Sequence, residues 1–189
     1  MNKSVFKQFI KTRCPGLDDS ILELLSKHTN YLKYTKGTKL ISEGKRHHYF
    51  YFLIQGSVKS YYLKDAKEIC SWFAFENDIV ATMKSFAGEP SNETIELLED
   101  SELIQINTEK FIKIAKTDLS VSQLIIELIA EHATFLEERL YQLQFMSSKE
   151  RYESLVKTVP QVLQRLSLTD IASFLGVSRE TVSRIRAQK

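Results

Sequence analysis

The sequence predicts an α+β fold: an antiparallel β-sandwich or barrel preceded by helices, then one long helix, then a small helical C-terminal domain. Three observations carry this. Between Tyr31 and Asp118, short runs rich in Tyr, Phe, Val and Ile ("YFLIQGSVKSYYL", "ICSWFAF", "ELIQI") alternate with turn-formers at Lys36-Gly37, Glu43-Gly44, Gln55-Gly56 and Lys64-Asp65. From Leu119 through Met146 the period becomes helical, and 28 residues pass without a Gly or Pro. Beyond Met146, two Ser-x-x-acid patterns mark the starts of new helices.

Ahead of the strands, Val5, Phe6, Phe9 and Ile10, then Leu17, Ile21, Leu24 and Leu25, keep helical spacing on either side of a break at Cys14-Pro15-Gly16. The long helix spans roughly 42 Å at about 1.5 Å per residue. Its stripe of Ile125, Leu128, His132, Leu136, Leu140 and Leu143, with Ile129 and Phe135 beside it, faces a polar side that includes Glu127, Glu131, Glu137, Glu138 and Arg139. Such a face suits a partner helix, so these six stripe residues are the expected dimer interface; the alternative is that the stripe covers its own sandwich. A new helix is expected from the box at Ser147-Glu150 to Val159, where Pro160 stops it. The expected division is 1–118, the β-rich domain with its leading helices; 119–146, a dimerisation helix; and 147–189, a small helical domain whose function the motifs below assign.

Composition narrows the function. Of 189 residues 43% are apolar and 26% charged, ordinary for a folded domain. The longest uncharged run, His47 to Val58, has 12 residues, and no signal-peptide pattern opens the chain, so a cytoplasmic protein away from membranes is expected. Two cysteines, Cys14 and Cys70, give no disulfide or metal framework, and no cofactor is expected beyond an unidentified small-molecule effector. His47-His48 is the one hook for a metal-dependent jelly-roll enzyme, but adjacent strand residues point to opposite faces. No nucleophile and base stand together, so no catalytic residue is assigned and the protein is not expected to be an enzyme. The net charge of +2 is uneven, because the last 43 residues carry +4 and the remainder −2. A basic tail suits a polyanion, since each cation near a phosphate releases condensed counterions.

The segment "SLTDIASFLGVSRETVSRIR" gives that charge a geometry. Ser167 and Asp170 fit a capping box that opens a helix with Ile171, Ala172 and Leu175 inward. Gly176 takes a left-handed turn, Ser178 caps the next helix, and Val182 and Ile185 give it an apolar side. Two helices joined by a glycine turn, with a small residue at their crossing, form a helix-turn-helix. On the outer face Arg184 can bond O6 and N7 of guanine while Glu180 accepts from the N4 amine of cytosine. Ser178, Arg179 and Arg186 are expected on phosphates, with Thr181 and Ser183 flanking. A solvated Glu-Arg ion pair is the competing reading.

These residues resemble the Crp/Fnr family of bacterial transcription regulators. The similarity rests on "GTKLISEG" (Gly37 to Gly44), "YFLIQGSVK" (Tyr51 to Lys59), the long helix and "SRETVSRIR". It implies a cyclic-nucleotide-binding-like jelly roll, a homodimer on double-stranded DNA with a palindromic operator, RNA polymerase as a further partner, and base contacts from Arg179, Glu180 and Arg184. Two departures accompany it. Where cyclic-AMP-binding relatives carry a Gly-Glu pair and an Arg followed by Ser or Thr, the alignment places Ala81-Thr82 and Ser91-Asn92. These four are the candidate effector pocket, but they bring no cation for a phosphate, so the expected effector is not cyclic AMP. The sequence also stops at Lys189 without the β-hairpin wing of relatives, which would leave Lys149, Arg151 and Arg165 to supply phosphate contacts. A small-molecule-binding regulatory module without DNA activity is the alternative function.

Overall fold

The computed structural model describes residues 2–187. Lys189, counted in the basic tail, lies outside them. Two compact units are formed, one from residues 1–60 and 73–129 and the other from residues 61–72 and 130–189.

In the first unit, α1 (Asn2–Arg13) and α2 (Asp19–Lys27) precede β1 (Thr29–Tyr34), β2 (Lys39–Ile41) and β3 (Tyr49–Gln55). β4 (Val58–Lys64) and β5 (Lys67–Ala74) form a hairpin, followed by β6 (Ile79–Val80), α3 (Met83–Ala87), β7 (Thr94–Leu97), β8 (Ser101–Asn107) and α4 (Thr108–Ala115). The strands make two four-stranded sheets, in the orders β1-β8-β3-β6 and β2-β7-β4-β5. β8 runs antiparallel between β1 and β3, with Leu32 and Leu53 both opposite Leu103. Alternation along β3 and β8 sends Phe50, Phe52, Ile104 and Ile106 into a cluster with Phe6, Ile10, Leu22, Leu25 and Phe111 of the surrounding helices. Leu53 and Leu103 fall on the opposite face, and Ile41, Val58, Ile95 and Leu97 of the second sheet are fully buried as well. The sandwich is therefore an antiparallel jelly roll with helices over one sheet.

The turn after β3 requires glycine, because Gly56 has φ +116° and a Cβ there would lie 2.0 Å from Ser101 Oγ. β4 and β5 are joined by Asp65-Ala66, both left-handed at φ 51° and 58°. Two such residues form the hairpin turn whose twist matches its strands, usually Asn-Gly or Asp-Gly.

α5 (Leu119–Phe145) is one unbroken helix. Its first turns belong to the sandwich unit, where Val121 and Leu124 are buried and Ile125 and Leu128 lean on the same cluster. An 18-residue window in α5 has mean hydropathy 1.3, so by length and composition this helix could cross a membrane. Counting uncharged runs missed it because Glu127 and Glu131 interrupt the apolar sequence.

The second unit contains the outer part of the β4–β5 hairpin, the remainder of α5, and α6 (Ser148–Thr158), α7 (Val162–Arg165), α8 (Leu168–Leu175) and α9 (Arg179–Ala187). α6 starts in the expected capping box: Glu150 N–H donates to Ser147 Oγ and Ser147 N–H donates to the Glu150 carboxylate. Hydrogen bonding from the Ser147 side chain, then from its backbone N–H, lowers the Glu150 carboxyl below its ordinary value. Its core is built from Tyr152, Leu155, Val162, Leu166, Ile171, Ala172, Phe174, Leu175, Val182 and Ile185.

Candidate nucleic-acid interface

α8 begins where Asp170 N–H donates to Ser167 Oγ at 3.0 Å. The reciprocal bond of a capping box is replaced: Ser167 Oγ–H donates to the Asp170 carboxylate at 2.5 Å. At the other end Gly176 is left-handed, with φ 69° and ψ 35°. Val177 N–H bonds Ala172 C=O at 3.0 Å and Gly176 N–H bonds Ser173 C=O at 3.1 Å, a Schellman closure. The next two carbonyls are taken by side chains. Arg139 of α5 donates to Phe174 C=O, and Arg151 Nε of α6 donates to Leu175 C=O at 3.1 Å. The last four carbonyls of α8 are thus all bonded, two of them to cations at the negative end of the helix dipole.

α9 opens with Thr181 N–H on Ser178 Oγ at 3.2 Å. Val182 and Ile185 are buried, whereas Ser178, Arg179, Glu180, Ser183, Arg184 and Arg186 are exposed and Thr181 is half-buried. Among the described residues no ion pair joins Glu180 to Arg184, Arg184 and Arg186 have no acidic partner, and Arg179 acts on its neighbour Glu180 only through its charge. Glu180 is drawn instead to the helix start, where backbone N–H and Ser178 hydrogen bonds hold its carboxyl below the ordinary value. The exposed face therefore offers guanidinium donors and a carboxylate acceptor at one-turn spacing.

The other expected phosphate ligands divide. Lys149 is exposed. Arg151 is not available, because besides Leu175 it donates to Met146 C=O at 2.7 Å. Arg165 donates to Gln161 Oε1 at 3.1 Å. Sequence spacing also placed Arg139 among the solvent-facing charges of α5, but its guanidinium lies 4.0 Å from the centroid of the Phe174 ring. Burial, and then the neighbouring Arg151, lower its pKa from the ordinary value.

Along α5 the expected stripe splits. Ile125 and Leu128 rest on the core and His132 is half-buried with its ring 6.3 Å from that of Phe135, while Leu136, Leu140 and Leu143 are about half exposed. Exposed Ile126 and Ile129 join the last three in a run whose steps of three and four include Ala133. That is heptad spacing.

The four candidate effector residues are differently placed. Ala81 packs against the core cluster, Thr82 and Ser91 are buried, and Asn92 is exposed. The Ser91 hydroxyl is occupied locally, donating to Glu93 C=O at 2.7 Å and accepting from Glu93 N–H at 3.1 Å. Lys84, the cation nearest in sequence, pairs with Glu89 at the surface. Residue spacing gave no sign of Glu93, a residue only 8% exposed whose carboxylate accepts from Ser60 Oγ. Its signal was instead an acidic residue entering an apolar strand. His47 Nε2 meets Ser42 N–H at 2.9 Å and His48 Nδ1 meets Glu109 at 3.2 Å, so the two histidines turn to different partners.

Comparison with known proteins adds to this geometry. The sequence matches the cyclic nucleotide-binding domain family over residues 31–118 and the crp family of bacterial regulatory proteins over residues 165–185. No curated protein matches it at a significant level. Among solved structures it is similar to FixK2 from Bradyrhizobium japonicum, with TM-score 0.73, 22% identity, and coverage of 85% of this chain and 83% of that one. A transcriptional regulator from Eubacterium rectale assigned to the crp/fnr family gives TM-score 0.73 and 21% identity over 90% of this chain and 82% of that one. The regulator CLP of Xanthomonas campestris, described as responsive to c-di-GMP, gives TM-score 0.68 and 19% identity over 90% and 91%.

Proposed function

From a chain that belongs to the Crp/Fnr family of bacterial transcription regulators, we propose a sequence-specific DNA-binding protein that works as a homodimer on a palindromic operator. The observation that carries this is the uncovered face of α9, where Glu180 and Arg184 stand unpaired with each other. Buried Val182 and Ile185 fix the helix from behind, so both side chains are presented without ordering a flexible segment first. In a major groove Arg184 reads guanine and Glu180 a cytosine amine, while Arg179, Ser178 and Arg186 hold phosphates.

The dimer rests on Ile126, Ile129, Leu136, Leu140 and Leu143, an apolar run too long to leave in water and spaced for a second α5. Pairing there also accounts for the hydropathy of α5 in a cytoplasmic protein that has Glu127 and Glu131 midway along its apolar window. Two α9 helices related by the dimer axis would enter grooves about 34 Å apart. RNA polymerase is the further partner such a regulator needs. Effector binding in the jelly roll acts by differential affinity for two states of the dimer. Cyclic AMP is disfavoured as that effector, because Thr82 and Ser91 bring no charge and Lys84 is engaged with Glu89. No chemistry of bond making is assigned to the chain.

Selection of bound sequences from a random duplex pool at fixed salt tests the reading. Enrichment of a palindrome with G·C pairs at symmetric positions is expected; failure to enrich any sequence, with binding that persists on a non-nucleic polyanion, refutes it.

A further inference from the structure

We infer that Ser173 is a positioning residue, through which strand β5 of the jelly-roll hairpin sets the orientation of the DNA-reading helix α9. The inference rests on the DNA-binding function proposed above.

β5 is the outer strand of its sheet, so its free backbone groups need a cover. In a ladder, residues two apart bond the same neighbouring strand. Glu68 and Cys70 are such a pair, and Ser173 stands where that neighbour would be. Its Oγ–H donates to Glu68 C=O at 2.8 Å, and the same oxygen accepts Cys70 N–H at 2.9 Å. A serine hydroxyl has one proton to give, so its donor role and one acceptor role are both spent on β5.

The two residues that follow are fastened differently. Phe174 carries the Arg139 guanidinium over its ring and on its carbonyl, and Leu175 is bonded by Arg151. Three consecutive residues thus bind the end of α8 to β5, α5 and α6 in turn. Gly176 and Val177 then lead directly to Ser178, the cap of α9. A displacement of β5 must carry Ser173 with it or break both hydrogen bonds. Since α8 and α9 share one core through Leu175, Val182 and Ile185, what moves Ser173 turns α9. The strands themselves continue into the sandwich unit as Val58–Ser60 and Phe73–Ala74, so a rearrangement there reaches Glu68 and Cys70 along the backbone. Burial alone does not require a hydroxyl at 173, because the position is only half-buried.

The test uses the full-length protein with Ser173→Ala and the hydroxyl-retaining Ser173→Thr. Hydrogen exchange of the Cys70 amide is followed without DNA, and operator affinity by fluorescence anisotropy. Ser173→Ala is expected to speed Cys70 exchange about tenfold or more. It should weaken operator binding about fivefold or more, by the same factor on base-substituted operators, because the reading helix is no longer pre-set. Ser173→Thr should restore both. Faster Cys70 exchange with operator affinity within about twofold of wild type, or raised, overturns the positioning role. Unchanged exchange in Ser173→Ala overturns it as well. If the wild-type protein binds no DNA at all, it is the proposed function that fails; a loss confined to the variant leaves that function intact.

Discussion

Glu180 and Arg184 stand one helical turn apart on the exposed face of α9 without bonding to each other. An isolated helix would gain a few tenths of a kcal/mol by pairing them. Glu180 instead turns to the backbone and Ser178 at the helix start, which leaves Arg184 with its full set of donors. Replacing Arg184 by Ala is expected to cost about 1 to 3 kcal/mol of discrimination at one symmetric guanine position. Selection from a random pool checks this, and an equal loss on every sequence would assign the residue to phosphate.

Arg186 is expected to behave in the opposite way. Arg186→Ala should weaken binding evenly across sequences and reduce the slope of log affinity against log salt by about 1. Titrations at several salt concentrations measure it, and an unchanged slope would remove Arg186 from the phosphate contacts.

The proposed dimer places the exposed seam of α5 at its interface. A glutamate at Leu136 or Leu140 would place like charges across the seam, so the dimer should dissociate at least about tenfold more readily. Sedimentation equilibrium reads this directly. A dimer that survives both changes uses another surface.

Ala66 holds a left-handed conformation at φ 58° in a turn where glycine is at ease. Ala66→Gly is therefore expected to stabilise the protein by about 0.5 to 1 kcal/mol, read as a higher midpoint in urea. A lower midpoint would mean that the entropy gained by the unfolded chain exceeds the relieved strain.

In the sandwich, Glu102 of β8 meets Lys33 and the hydroxyl of Tyr31 on β1. Lys33 first, then Tyr31, hold its carboxyl below the ordinary 4.5. A lowered carboxyl adds stability that is present above 4.5 and is lost as pH falls through the folded value. Glu102→Gln should flatten that acid limb of the unfolding midpoint, while the wild-type and variant slopes coincide near neutrality. Parallel limbs in acid would show that other carboxylates govern it.

What could be read from the sequence was local. The cap at Ser147, the glycine turn at 176, the cap at Ser178 and the inward Val182 and Ile185 all depend on neighbours within about one turn, and spacing alone places them. α5 was legible for the same reason, ending at Phe145 rather than Met146. Its phase was harder. A 3.6-residue period drifts against a 3.5-residue seam, so a stripe begun at Ile125 starts on the protein's own core and ends on the open face, missing Ile126. Side chains with distant partners left no such trace. Arg139 finds Phe174, Arg151 finds Leu175, Ser173 finds Glu68, and Ser60 finds Glu93 only once the chain has folded. A long cation on a helix surface looks solvated until the fold brings it a carbonyl to bind.

The connection from α5 to α6 consists of Met146 and Ser147, and both are already engaged. The Met146 carbonyl takes Arg151, and Ser147 is locked in its box with Glu150. In the proposed DNA complex those bonds would have to break before a reading head could slide along its target. An operator lengthened by one base pair moves its second half-site about 3.4 Å along the duplex and about 35° around it. A tethered head could follow such a shift; one fastened at both residues of its junction must strain or let go. If the proposed dimer reads two half-sites, their spacing is thus set by this junction as firmly as their bases are set by α9.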